Sequence, residues 1–121
     1  MDQVESEPTI KTHTFDAIIN NTPITYHIIH MNSSFFVWIG DQGTFDSLAV
    51  AMTTAHSPLP ISTVLLGHNA EDSSSSLAAR LSKKTGKQVF ASCNIAKSDG
   101  SLMIGVTQRL IKELEEFPEK F

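Results

Sequence analysis

The chain has 121 residues and a formal net charge of −4, with an isoelectric point near 5.6. This length predicts one domain with a single hydrophobic core. The acidic balance and the lack of a basic stripe argue against nucleic acid as a partner. No apolar run approaches the roughly 20 residues that span a bilayer, so we expect no membrane segment.

The N-terminal residues are polar and acidic and end at Pro8. We interpret residues 1–8 as a flexible tail and residues 9–121 as a single domain. The tail does not have the basic and then apolar pattern of a secretory signal. The one cysteine, Cys93, cannot form an internal disulfide, which is typical of a reducing compartment. We therefore expect a cytoplasmic protein, with the nucleus as a second location.

The first half of the chain has the pattern of β-strands. Residues 10–19 are rich in Thr, Ile and Phe, which suit a pleated surface. Asn20 and Asn21 predict a tight turn, because Asn tolerates the left-handed backbone conformation. A second strand follows, in which Ile24, Tyr26 and Ile28 alternate with polar residues.

Three more strands are predicted before the first helix. The apolar run 35–39, closed by Gly40, is typical of a central strand covered on both sides. Residues 48–52 are interpreted as a fourth strand, with a helix as the competing interpretation because Ala and Met are weak strand formers. Residues 61–66 are predicted to form the fifth strand.

The rest of the chain is predicted to be helix, strand and helix. The first helix begins within residues 72–75 and ends at Gly86, which favours helix termination. Strand six covers residues 88–94. The last helix begins near residues 99–101 and places apolar side chains at spacings of three and four on one face, which is predicted to lie against the core. These are Met103, Val106, Leu110, Leu114 and Phe117.

Gly105 lies inside this last helix and costs about 1 kcal/mol relative to Ala. Either close packing against the backbone requires it, or the helix starts later. Hairpins followed by helix, strand and helix predict an α+β domain, with the helices packed on a sheet or on a curled, sandwich-like sheet.

The sequence offers no arrangement of residues typical of catalysis, and we predict no catalytic, cofactor-binding or metal-binding residue. His27 and His30 are three positions apart on a strand and point to opposite faces, while His13, His56 and His68 are isolated in sequence. Cys93 has no adjacent cation that would lower its pKa, so it is interpreted as a buried structural thiol.

The acidic end of the chain is the candidate partner-binding region. Glu113, Glu115, Glu116 and Glu119 form either a solvated helix face or a docking surface for a basic partner. Phe121 either closes the end of the helix or acts as an exposed anchor. The residues assigned to partner binding are Glu115, Glu116 and Phe121.

Several segments form a recognisable series in chain order. They are Phe36-Val37-Trp38-Ile39-Gly40, residues 48–52, residues 60–67, residues 77–90 and Phe117-Pro118-Glu119-Lys120-Phe121. Taken together, these segments resemble the proteasome assembly chaperone 4 family. The likeness extends over roughly residues 35–121, while the first thirty residues match poorly.

This resemblance implies a six-stranded antiparallel, sandwich-like sheet with two α-helices and no enzyme activity or cofactor. It also implies a heterodimer with proteasome assembly chaperone 3 that binds proteasome alpha subunits transiently and promotes assembly of the alpha ring. We expect such pairing to bury a surface too apolar for water, with an edge strand as the natural place to extend a sheet between chains.

Two other functions are compatible with the pattern. A scaffold subunit of the longin or roadblock type also combines an antiparallel sheet with few helices, although a shared architecture does not fix function. A small enzyme that uses His with Ser or Asp would require these side chains to converge in the folded chain.

Overall fold

A computed structural model of the chain describes residues 10–54, 57–67, 73–95 and 100–121. The order of elements agrees with the prediction, and residues 48–52 belong to a strand rather than a helix. The tail predicted for residues 1–8 lies outside the described residues. The elements are β1 (Lys11–Ile19), β2 (Thr22–Met31), β3 (Ser34–Gly40), β4 (Leu48–Thr54), β5 (Ser57–Leu66), α1 (Ser73–Thr85), β6 (Gln88–Asn94), α2 (Gly100–Glu116) and a 3-10 turn (Pro118–Lys120).

The six strands form one sheet in the order β1-β2-β3-β6-β4-β5. β6 lies between β3 and β4 and is antiparallel to β4, but it is parallel to β3, with Val37 opposite Ala91. The predicted α+β class is confirmed, while the prediction of a purely antiparallel sheet is wrong for this one pair. The β4–β5 hairpin returns the chain to the direction of β3, and the crossover through α1 then brings it to β6 in that same direction.

The predicted turn between β1 and β2 is present. Asn20 and Asn21 have φ angles of 50° and 65°, the left-handed values that Asn tolerates better than most residues. The turn sets a register in which Phe15 lies opposite Tyr26, and their rings stack with centroids 4.4 Å apart.

Both helices pack on the same face of the sheet. The Tyr26 hydroxyl donates a hydrogen bond of 3.0 Å to the main-chain oxygen of Val106 in α2. On the other half of the sheet, the hydroxyls of Ser62 in β5 and Ser75 in α1 lie 3.1 Å apart. The main core fills the space between the helices and this face. Its strand residues are Ile24, Tyr26, Ile28, Phe35, Val37, Ile39, Ala49, Ala51, Val89 and Ala91.

Helix α2 approaches β1 closely at Gly105. A Cβ atom at this position would lie 2.5 Å from Cγ2 of Ile19. Of the two explanations for this glycine, close packing is therefore correct, because the helix already begins at Gly100.

Phe117 does not continue the buried face of α2, so its prediction as a core residue is wrong. It lies beyond the last helical residue and is 40% exposed. Its backbone has left the helical conformation, with φ −133° and ψ 62°. The cause is Pro118, since the ring of a proline disfavours helical geometry in the residue before it.

Of the two roles predicted for Phe121, the structure shows the one in which its ring closes the end of the helix. The ring is 1% exposed and meets Phe35 edge to face, with centroids 5.5 Å apart. The main-chain oxygen of Phe121 accepts a hydrogen bond of 2.7 Å from Nζ of Lys87 and lies 2.7 Å from Nδ1 of His30. Side chains from β2, β3 and the α1–β6 connection therefore hold this residue.

Glu113 is also buried, so it belongs neither to a solvated acidic face nor to an exposed docking surface. It lies seven and three positions after Val106 and Leu110, on the side of α2 that faces the sheet, and is 4% exposed. Its carboxylate accepts a hydrogen bond of 2.9 Å from Nη1 of Arg109 and lies 2.7 Å from Nε2 of His13 in β1. These contacts tie the edge strand β1 to α2.

The hydrogen bonds to Glu113 determine the direction of its pKa shift. Burial alone would raise the pKa of this carboxyl, but the hydrogen bonds and charges of His13 and Arg109 together hold the pKa below its ordinary value. Because the unfolded chain then takes up a proton more readily than the folded chain, protonation favours unfolding.

Replacing Phe121 with alanine is expected to lower the free energy of unfolding by about 3–5 kcal/mol, because a buried ring is lost and a cavity remains. Urea denaturation measures this change. Phe117→Ala is the matched control and should cost less than about 1 kcal/mol, because that ring is largely outside the core. Equal costs for the two variants would contradict the packing described for Phe121.

Acidification is expected to remove the stability that Glu113 contributes. This contribution is complete above the ordinary carboxyl pKa of about 4.3 and is lost as the pH falls through the lowered pKa of the folded state. Glu113→Gln should therefore unfold at lower urea at pH 7 and show a flatter decline between about pH 5 and pH 3. Glu116→Gln, exposed on the same helix, should retain the wild-type decline; an unchanged decline in Glu113→Gln would contradict this role.

Candidate protein-interaction surface

The face of the sheet opposite the helices carries an apolar surface that no described helix covers. Paired residues on neighbouring strands point to the same face, so Val50 of β4 shares this side with Phe90 of β6 and Met52 shares it with Ile61 of β5. We call this surface the sheet-face patch. It consists of Phe36, Trp38, Phe45, Val50, Met52, Ile61 and Phe90.

None of the seven side chains is charged, and none is fully buried. Phe36, Trp38, Val50 and Phe90 are half-buried, and Phe45, Met52 and Ile61 are exposed. This corrects the prediction that β3 is covered on both sides: its alternate residues Phe36 and Trp38 remain accessible. Contiguous exposed apolar surfaces of this kind are typical of sites where proteins interact.

Trp38 lies flat along its own strand because Gly40 has no side chain. A Cβ atom at position 40 would be 2.5 Å from Cη2 of the indole. The indole Nε1 donates a hydrogen bond of 3.0 Å to the main-chain oxygen of Thr44. The sequence Trp-Ile-Gly therefore fixes the ring and joins it to the loop after β3.

That loop, residues 41–47, adds Phe45 to the patch. The Phe45 and Phe36 rings stack with centroids 6.2 Å apart and planes inclined by 10°. The loop thus folds back over the end of the sheet and extends its apolar surface with a side chain from outside the strands.

The other half of the same sheet face is mixed, with Ile18 and Ile29 among polar side chains. On β1 and β2, the Thr25 hydroxyl donates a hydrogen bond of 2.9 Å to Asp16, and the Thr14 hydroxyl lies 3.0 Å from Nδ1 of His27. His27 also contacts Trp38, with ring centroids 5.4 Å apart. Polar side chains therefore border the patch beside Trp38, whereas Ile29 of β2 lies opposite Phe36 at its edge.

The residues predicted to bind a partner are not part of this patch. Glu115 and Glu116 are exposed at the end of α2, on the helical side of the sheet, and Glu115 forms an ion pair of 3.2 Å with Lys84. Their role in binding remains a prediction. The ring of Phe121 is buried and does not serve as an exposed anchor in this structure.

The described histidines and the cysteine each contact a different residue. His13, His27 and His30 contact Glu113, Thr14 and Phe121 respectively, whereas His56 and His68 lie outside the described residues. Cys93 is buried, with its Sγ 4.0 Å from Sδ of Met103. In the described part of the chain, no three His, Cys, Asp or Glu side chains come together as a metal site.

None of the helices in the described ranges is long and apolar enough to span a bilayer.

The sequence carries one signal for the sheet-face patch besides the apolar run of β3. Both Phe35 and Phe36 fit a continuous apolar run, and a run of this kind does not distinguish a strand covered on both faces from one with an open apolar face. The absence of charge from β4, β5 and β6 was the remaining signal.

Comparisons with known proteins identify the family of the chain. The sequence profile of proteasome assembly chaperone 4 matches residues 23–95. The chain is 38% identical to human (Homo sapiens) proteasome assembly chaperone 4 and 37% identical to the mouse (Mus musculus) protein, in each case over 93% of this chain and 91% of the relative. The chain belongs to the proteasome assembly chaperone 4 family.

A solved structure shares the fold at low sequence identity. It is described as a novel chaperone complex for yeast 20S proteasome assembly, and one of its chains superposes with a TM-score of 0.68 at 10% identity. The match covers 93% of this chain and 97% of the yeast one. At this identity the likeness establishes the fold alone.

Proposed function

We propose that this chain is a non-catalytic subunit of a chaperone heterodimer. It pairs with proteasome assembly chaperone 3, and the pair binds proteasome alpha subunits transiently and promotes assembly of the alpha ring, in the cytoplasm and also the nucleus. The observation that carries the pairing is the sheet-face patch. Membership of the assembly chaperone 4 family and the yeast complex as a structural neighbour support the chaperone role.

A related chaperone subunit suits the sheet-face patch better than a charged or small partner. The patch is broad and uncharged, so its burial removes apolar area from water without the desolvation of an ion. It contains three aromatic rings from β3 and β6 (Phe36, Trp38 and Phe90), and aromatic residues are enriched at the centres of protein interfaces. A partner sheet with a similar apolar face would pack against it about 10 Å away, as in two-layer β structures.

The most direct experiment is to mix the purified chain with chaperone 3 and measure the size of the product by size-exclusion chromatography. A single heterodimer peak is expected, and purification of the tagged chain from cells should recover chaperone 3 together with alpha subunits. Recovery of neither would contradict the proposal.

Two isoleucines provide a matched test of the patch. Ile61 lies within it and is 57% exposed, whereas Ile18 on β1 points to the same side of the sheet outside the patch and is 74% exposed. Ile61→Glu should weaken chaperone 3 binding at least about tenfold, since the carboxylate would lose its water on binding. Ile18→Glu should change the affinity less than about twofold. Both variants should melt like the wild type, and equal affinities would place the interface elsewhere.

The acidic end of α2 is proposed to guide the encounter with alpha subunits. Glu115→Lys and Glu116→Lys should each slow association severalfold at low salt, with little effect near 0.5 M salt, because exposed charges act mainly on encounter rates and are screened. Stopped-flow measurements of the heterodimer with alpha subunits test this. Asp16→Lys makes the same charge change on β1 and should leave the association rate unaltered. Equal slowing in all three variants would mean that net charge, and not the position of the acidic residues on α2, controls the rate.

A further inference from the structure

Side chains of the sheet bind the loop of residues 41–47. Within the loop, Thr44 N–H donates a main-chain hydrogen bond to Gln42 O at 2.9 Å. The peptide groups on both sides of Phe45 are bound by the sheet. Trp38 Nε1 donates to Thr44 O at 3.0 Å, and Asp46 N–H donates to Oδ1 of Asn94 at 2.7 Å.

Asn94 is well suited to fix this loop because it is itself fixed. It is 7% exposed at the end of β6. Its Nδ2 donates to Ser92 Oγ at 2.8 Å and points towards Ile39 O at 3.5 Å. These acceptors determine which end of the carboxamide faces the loop, so that Oδ1 is directed at Asp46 N–H.

Ser92 continues the attachment to the next part of the loop. Its hydroxyl donates to Ser47 O at 2.5 Å, and the Ser47 hydroxyl lies 2.6 Å from that of Ser74 at the start of α1. Ser74 Oγ in turn accepts a hydrogen bond of 2.8 Å from Cys93 N–H. A buried polar network therefore connects the loop, β6 and α1, and such networks stabilise one geometry when every member is paired.

We propose that Asn94 is a positioning residue for partner binding: it holds the loop of residues 41–47 so that Phe45 lies against Phe36 as part of the binding surface. Phe45 is exposed and has no strand to hold it, so its ring position depends on the two flanking peptide groups. This inference rests on the proposed function, because it assumes that the sheet-face patch binds chaperone 3. Preorganisation of such a side chain raises affinity by reducing the ordering required on binding.

The test is a double-mutant cycle with chaperone 3 as the binding partner. Asn94→Ala and Phe45→Ala are each expected to weaken binding about tenfold, the scale of one lost buried hydrogen bond or one well-placed contact. If Asn94 acts through Phe45, the double variant should also lose about tenfold rather than a hundredfold. A hundredfold loss of affinity in the double variant would overturn the inference, as would wild-type affinity in Asn94→Ala.

Hydrogen exchange in the free chain separates loop positioning from general loss of stability. In Asn94→Ala the Asp46 amide should exchange at least about tenfold faster, while amides of β2 retain their protection. Unchanged Asp46 exchange would overturn the inference, as would a uniform increase throughout the sheet. Asn32→Ala, an exposed asparagine between β2 and β3, is the control and should leave both exchange and affinity unchanged.

A second variant keeps the test decisive if Asn94→Ala does not fold. Ser92→Ala removes the hydroxyl that binds Asn94 and Ser47 with little change in volume. It should weaken chaperone 3 binding when Phe45 is present and add no further loss of affinity to Phe45→Ala. Comparison with Ile61→Glu separates the two levels of the proposal. If Ile61→Glu weakens binding and Phe45→Ala does not, the positioning role fails and the proposed pairing stands. If neither weakens binding, the positioning role fails together with the assignment of the interface to the sheet-face patch.

Discussion

β6 hydrogen-bonds to β3 on one side and to β4 on the other, and this placement determines the rest of the molecule. The parallel register brings Phe36 opposite Phe90, and the antiparallel register brings Phe90 opposite Val50. Because side chains alternate along strands, the same registers place Phe35, Val89 and Ala51 together on the opposite face. The placement of β6 between β3 and β4 therefore creates both the core under the helices and the sheet-face patch.

The two sides of the sheet are stabilised in different ways. On the helical side, the core is completed by elements from the end of the chain, with Phe121 against Phe35 and Glu113 paired with His13 and Arg109. Burial of Tyr26 on this side raises the pKa of its phenol, which remains a hydrogen-bond donor to α2. On the open side no described helix is present, and Asn94, Ser92 and Trp38 attach the 41–47 loop to β6 and β3. The apolar surface on this side therefore remains accessible, whereas the helices cover the core on the other side.

Much of the fold could be predicted because its signals are local. The turn at Asn20 and Asn21, the end of α1 at Gly86 and the break at Pro118 each depend on the conformational preferences of single residues. The alternation of Ile24, Tyr26 and Ile28 correctly identified the buried face of β2. Phe117 was misassigned because helical spacing was extended by one step into the residue before a proline. Glu113 was misassigned because charge suggested exposure, whereas its partners His13 and Arg109 allow its burial.

The sequence by itself determined the class of fold, the order of its elements, the residues that stop each helix and the likeness to the family, since all of these depend on neighbouring residues or their order. Only the tertiary structure decided that β6 runs parallel to β3, that the Phe36 side of the sheet remains open and that Asn94 holds the loop bearing Phe45. The physical reason is that pairing and burial depend on contacts between residues far apart in the chain, and Asn94 and Asp46 are 48 positions apart. An apolar strand pattern fixes which side chains avoid water, but not whether the surface that covers them belongs to the same chain.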